Sequence, residues 1–217
     1  PPSEMGQWKI DSKTNPDLFV DYAWLPPLVQ PKKLLVLISG IHGSETYTGA
    51  AVLNLFMEEI LPQINRNDLG IFMVHAMNPY GFKHHSRCTE NNVNLNRNFS
   101  VSGDLFKTKN PESKRLTEIF LPRSPVASTR SRLLESLRLD NNTIRFGDIS
   151  LDQLAKGIGP GQFESAHDFE YGGHAVEPQT QALINQMQKL IPQFQDIIAL
   201  DLHTGLGDRG RLHLLTD

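Results

Sequence analysis

The 217-residue chain is 39% hydrophobic and 21% charged, a composition that excludes a disordered or fibrous polypeptide. Its 21 Lys and Arg against 24 Asp and Glu leave a net charge of −3, which excludes a strongly basic surface built to follow a phosphate backbone. Cys88 is the only cysteine, so neither an intrachain disulfide nor a cysteine cage for zinc is available, and any metal must sit on His, Asp or Glu.

A chain of this length favours one large α/β domain over residues 1–217, with a loop-rich insertion over 100–176. The longest aliphatic run, Leu34 to Ile38, is far short of the roughly 20 residues that span a bilayer, so no membrane segment is expected. The chain opens on Pro1-Pro2 without a charged-then-apolar leader, and the expectation is a cytoplasmic protein.

Phe19 to Leu25 mixes aromatic and branched residues before Pro26-Pro27 and predicts a strand closed by a turn. Leu34 to Ser39 is a continuous apolar run between Pro31 and Gly40, the pattern of a strand buried on both faces of a parallel sheet. Over residues 45–61, Leu53, Phe56, Met57 and Ile60 recur at helical spacing, and Pro62 stops the helix. Gly70 to Met77 is a second apolar strand, so strand, helix and strand follow one another as in a βαβ unit.

Residues 78–99 are polar and loop-like, and 103–125 add Lys, Ser, Asn and Pro without a period. Leu133, Leu134 and Leu137 suggest a helix over 126–139, and 157–173 is glycine-rich. Leu183, Ile184, Met187, Leu190 and Ile191 predict a helix ending at Pro192. Ile197 to Leu202 then reads as a third buried strand, leading into His203-Thr204-Gly205.

His42 and Glu45 stand three residues apart across a tight turn, where one nitrogen and one oxygen can reach the same ion. The chain holds two other such pairs, His167/Glu170 and His174/Glu177, so spacing alone does not choose. Context does: His42 follows a buried strand directly, and open α/β sheets place ligands beyond the carboxyl ends of their strands. A catalytic zinc takes three protein ligands and keeps one position open. His203, at the end of the third strand, is the third candidate, with Asp201 two residues earlier on the same face to hold the imidazole or bind a further ion. Arg87 and Arg97, with Asn96, lie in the polar loop after the second strand of the βαβ unit, where a guanidinium can grip a carboxylate or stabilise an oxyanion.

His42-Gly43-Ser44-Glu45, Asn78-Pro79-Tyr80-Gly81-Phe82, Asn94 to Phe99 and Asp201-Leu202-His203-Thr204-Gly205 together resemble, in order, the motifs of zinc metallocarboxypeptidases of the carboxypeptidase A clan. Asp21 to Leu25 and Tyr171-Gly172-Gly173 narrow the resemblance to an uncharacterised, mostly bacterial branch known as a domain of unknown function, related also to succinylglutamate desuccinylase and aspartoacylase. It implies a largely parallel mixed sheet flanked by helices, a carboxypeptidase-like and phosphorylase/hydrolase-like three-layer α/β/α fold. It also implies zinc on His42, Glu45 and His203, a catalytic Arg87 that polarises the scissile carbonyl, and Asn96 and Arg97 gripping a substrate's free carboxylate. The implied general-base glutamate lies downstream of the third ligand; Arg211 to Asp217 contain none, which leads to the expectation of a catalytic domain continuing past Asp217, with Glu164, Glu170 or Glu177 as substitutes.

The expected activity is zinc-dependent hydrolysis of an amide bond beside a free carboxylate, foremost as a metallocarboxypeptidase. The alternatives are an N-acyl amino acid deacylase of the desuccinylase/aspartoacylase type and a zinc-containing module that binds carboxylates without turnover. The partner is then a peptide or N-acyl amino acid, with neither nucleic acid nor membrane involved and the oligomeric state open.

Overall fold

In the computed structural model, residues 3–120, 156–205 and 210–214 are described. In chain order they form β1 (Glu4–Ile10), β2 (Leu18–Leu25), β3 (Lys33–Ser39), α1 (Thr46–Leu55), β4 (Leu69–His75), α2 (Pro79–His84), α3 (Pro111–Phe120), α4 (Pro178–Leu190) and β5 (Asp196–Leu202). The chain divides into two compact units, one made of Pro1–Glu90 with Glu177–Asp217 and the other of Asn91–Val176. Among the described residues no helix is long and apolar enough to cross a membrane. The helix expected over 126–139 lies outside the described residues.

The first unit carries one sheet in the order β1-β2-β4-β3-β5. β3 runs parallel to both β4 and β5, whereas β1 with β2 and β2 with β4 are antiparallel. The sheet is therefore mixed, with half of its four pairings antiparallel, and not largely parallel as expected. The cause is β2, the one strand that runs against the others: it is antiparallel to β4 and, because the short connection from Ile10 to Leu18 permits only a hairpin, also to β1, which has no apolar run to announce it.

One face of the sheet packs Leu37, Ile71 and Met73 against Leu53 of α1 and Phe56 just beyond it. Burying such side chains contributes about 1.5–3 kcal/mol each before entropy is counted. Gly49 lets α1 lie on the sheet, since a Cβ there would stand 2.7 Å from the Ser39 Cβ. Past α1 the backbone widens over Phe56–Ile60 and tightens again over Leu61–Gln63, where Pro62 is accommodated because the first turn of a helix needs no proline N–H. The opposite face is aromatic: Trp8 and Tyr22 lie 5.1 Å apart, and Trp24 meets Phe194 edge-on at 6.2 Å.

Among the described residues β5 pairs with β3 alone, and its Ile197, Ile198 and Leu200 are exposed. The expected burial of this strand is thus not observed. An apolar run predicts a strand, but it does not distinguish a central strand from one with a single neighbour. For the site, register is what counts: Ser39 is paired with Leu202, so the parallel strands end side by side and deliver the residues just beyond them to the same place.

Candidate metal centre

Beyond Ser39 the chain turns through Gly40 at φ 75°, a conformation that favours glycine, and a Cβ at that position would stand 2.5 Å from Thr46 Oγ1. Gly43–Glu45 then forms a single tight turn with three residues per revolution, which puts His42 and Glu45 on one side. The His42 Nδ1 lies 2.9 Å from Glu45 Oε1. From the end of β5, the His203 Nδ1 lies 3.0 Å from Glu45 Oε2, and the backbone N–H of Thr204 donates to that oxygen at 2.8 Å. The two imidazole rings are 4.7 Å apart between centroids, and one ligand atom from each of His42, Glu45 and His203 falls within 4.8 Å of the others.

Arg87 joins this cluster, with Nη1 3.2 Å from His42 Nδ1 and 3.5 Å from Glu45 Oε1. Exposure grades across the site, from 4% for the His42 side chain and 13% for Glu45 to 31% for His203 and 47% for Arg87. Among the described residues the cluster is thus buried at His42 and Glu45 and more open at His203 and Arg87.

Burial alone would raise the Glu45 pKa. Hydrogen bonds from His203, His42 and the Thr204 N–H outweigh it and hold the carboxyl well below the usual carboxylate range. The Asp201 carboxylate, hydrogen-bonded to His203 Nε2, is the main cause that raises His203 to about 9, aided by Glu45 and opposed by burial.

The donor chemistry fits a cation. His42 Nδ1 faces a carboxylate that only accepts and a guanidinium that only donates, and one ring nitrogen cannot donate to the first while accepting from the second. A divalent ion shared by both Nδ1 atoms and the carboxylate removes that conflict. Asp201 accepting from Nε2 of His203 then selects the tautomer whose Nδ1 lone pair is available. Two imidazoles and one carboxylate form a ligand set suited to catalytic zinc.

Asn96 and Arg97 belong to the second unit, on the tight turn Leu95–Arg97. Buried Asn94 caps that turn by accepting from the Asn96 N–H at 3.0 Å, and its own N–H donates to the Tyr171 carbonyl at 2.7 Å. Asn98 Nδ2 donates to the carbonyls of Gly172 at 2.7 Å and Ala175 at 2.9 Å, so the Tyr171-Gly172-Gly173 segment braces the asparagine-rich motif. Arg97 Nη1 donates to the Asn96 carbonyl at 3.2 Å. Glu170 accepts from Asn94 Nδ2, and the His174 ring is hydrogen-bonded to the Tyr171 hydroxyl at 3.1 Å. Among the described residues, only His42, Glu45 and His203 gather three potential metal ligands.

Two participants were not foreseen. The Thr204 N–H is a backbone group that residue identity does not reveal. Asn78 stands out in the sequence only as part of its motif, although Asn followed by Pro is itself the signal of a helix cap and first turn.

The fold and site define an α/β protein with a His-Glu-His cluster suited to a divalent metal at the carboxyl ends of adjacent parallel strands. The chain belongs to the family described as "Protein of unknown function (DUF2817)", which matches residues 3–217. None of the curated proteins matches it. Among solved structures it is similar to an aspartoacylase family protein from Mesorhizobium loti, with 23% identity over 46% of this chain and 31% of that one and a TM-score of 0.37. It is also similar to a putative succinylglutamate desuccinylase/aspartoacylase family protein from Shewanella amazonensis, with 17% identity over 61% and 41% of the two chains and a TM-score of 0.38.

Proposed function

We propose that this chain carries the metal centre of a zinc-dependent hydrolase that cleaves an amide bond beside a free carboxylate. The observation that carries this is the convergence of His42, Glu45 and His203 with the Arg87 guanidinium 3.5 Å from the Glu45 carboxylate. Bound zinc supplies a Lewis acid and, near neutral pH, an activated water. Arg87 stabilises the negative charge that develops on the carbonyl oxygen during attack. Asp201 fixes the His203 tautomer, and Asn96 with Arg97, assigned from motif order, grips the substrate carboxylate through charge-assisted hydrogen bonds.

Our first reading is an N-acyl amino acid deacylase, the type for which the two solved structures are named. The second is a metallocarboxypeptidase, supported by the order of the four motifs along the chain. Both place an amide and a free carboxylate on one small substrate unit, and one experiment tests them. Zinc-loaded full-length protein is incubated with N-acetyl and N-succinyl amino acids and, separately, with blocked tripeptides bearing a free C-terminus. Release of free amino acid from the acylated monomers alone supports deacylation, and release from the tripeptides supports carboxypeptidase action. Tight zinc binding with turnover of neither overturns the hydrolase proposal in favour of a carboxylate-binding module.

A further inference from the structure

The Asn78-Pro79-Tyr80-Gly81-Phe82 motif contributes no ligand to the centre, yet its first residue is fully buried beside it. All four polar groups of Asn78 are engaged. Its N–H donates to the Gly40 carbonyl at 2.8 Å, in the turn that carries His42, and its carbonyl accepts from Phe82 N–H at 2.9 Å. Its Oδ1 accepts from Gly81 N–H at 2.9 Å, capping α2, and its Nδ2 donates to the Arg87 carbonyl at 3.1 Å.

The surroundings leave little freedom. α2 ends at His85 with φ 54°, which folds the chain back so that Ser86 N–H donates to the Gly81 carbonyl at 2.8 Å and Ser86 accepts from Ser44 N–H at 3.1 Å. A Cβ on Gly43 would lie 2.0 Å from the Gly81 carbonyl carbon, and one on Gly81 would lie 2.5 Å from Asn78 Nδ2. Backbone therefore touches backbone between the ligand turn and α2, and the Asn78 side-chain amide ties that contact to the Arg87 backbone itself, next to the Ser86 bonds.

We infer that Asn78 is a positioning residue for Arg87, its Nδ2 holding the Arg87 backbone so that the guanidinium stands against Glu45 and His42, in addition to its role as a helix cap. This rests on the hydrolase reading only for its kinetic consequence. An aspartate at this place separates the two roles. It caps a helix as well as asparagine does, but it sets an acceptor against the Arg87 carbonyl in place of a donor. Serine likewise caps but is too short to reach that carbonyl.

The test uses Asn78→Asp and Asn78→Ser in zinc-loaded protein, alone and combined with Arg87→Ala. A displacement of about 1 Å at a positioned group costs on the order of a hundredfold in rate. Both variants are expected to keep one zinc per chain and to lower kcat ten- to hundredfold with little change in KM, and to have no further effect in the Arg87→Ala background. Effects that add to that of Arg87→Ala would overturn the inference. The side-chain N–H signal of Arg87 in a 15N-resolved spectrum, identified by its loss in Arg87→Lys, gives a readout independent of turnover. It is expected to move toward the position of a free arginine in both variants, and an unmoved signal would overturn the inference. A wild-type protein inert toward every substrate would refute the hydrolase reading, and the Arg87 signal would still decide the role of Asn78. Should the aspartate variant not fold, the serine variant carries the same comparison, and failure of both to fold would make Asn78 a folding residue and overturn the inference.

Discussion

Replacing Asp201 with Asn is expected to weaken zinc binding more at high pH than near neutrality. The carboxylate has two opposing effects through one hydrogen bond to His203 Nε2. By accepting there it leaves the Nδ1 lone pair directed toward the Glu45 carboxylate 3.0 Å away, and losing such a partner costs about 10- to 100-fold in metal affinity, or roughly 1.4–2.7 kcal/mol. Through the same hydrogen bond and its charge, and together with Glu45, it also keeps a proton on the imidazole, raising His203 from 6.5 to about 9. At pH 7, two units below that value, the proton competes with the ion by about a hundredfold. The variant loses orientation but is freed from the part of that competition owed to Asp201, Glu45 keeping the rest, so the two effects offset in part at pH 7, whereas near pH 9 the orienting loss dominates. Chelator-buffered zinc titrations at both pH values measure this directly. An equal loss at pH 7 and pH 9, or no loss at pH 9, would refute the reasoning.

Zinc binding to the wild-type protein at pH 7 is expected to release about one proton, taken from His203, which calorimetry in buffers of different ionisation enthalpy reads out; zero release contradicts the raised pKa. The metal centre of the metal-free protein should contribute most to stability between about pH 5 and 6.5, while His75, lowered by burial, loses its own contribution as pH falls below 6.5. The depressed Glu45 adds stability above its ordinary 4.5 that is lost as pH falls, and the raised His203 adds stability below 6.5 that is lost as pH climbs through about 9. Melting temperatures from pH 4 to 10 test this, and a flat profile between pH 6.5 and 9.5 is inconsistent with it. Arg87→Ala should retain zinc yet lose on the order of 10²–10³ in kcat, measured alongside metal content; unchanged turnover removes Arg87 from the chemistry. Gly43→Ala should cost about 1–3 kcal/mol in denaturant unfolding and weaken zinc binding, because its methyl meets the Gly81 carbonyl carbon at 2.0 Å; wild-type stability would show that the close approach is relaxed.

Much of this arrangement was legible because a few local patterns constrain it. The uninterrupted Leu34 to Ser39 run fixed β3, and a turn with His at its first and Glu at its fourth position leaves both side chains on one side whatever surrounds them. That His203 meets them required only that a second strand end beside β3, which the Ser39–Leu202 register supplies. What escaped the sequence lacks such a local signature. β1 alternates exposed and half-buried residues around a single tryptophan, and its pairing with β2 exists only in three dimensions. α2 is six residues long and shows no period, although Asn78 and Pro79 mark its start. α3, also unforeseen, buries Ser113, Leu116 and Thr117 in a ten-residue segment whose charged and polar residues leave too few apolar positions to show a period by inspection. β5 was readable as a strand, but its single neighbour and its exposure among the described residues were not, because its partners are set by topology and not by its own residues.

Anomalous diffraction at the zinc edge from crystals of zinc-loaded protein tests the His42, Glu45 and His203 assignment most directly. One peak is expected at about 2.0–2.2 Å from His42 Nδ1, a Glu45 carboxylate oxygen and His203 Nδ1. A peak on other residues, or an imidazole of His42 or His203 turned away from it, would contradict the assignment.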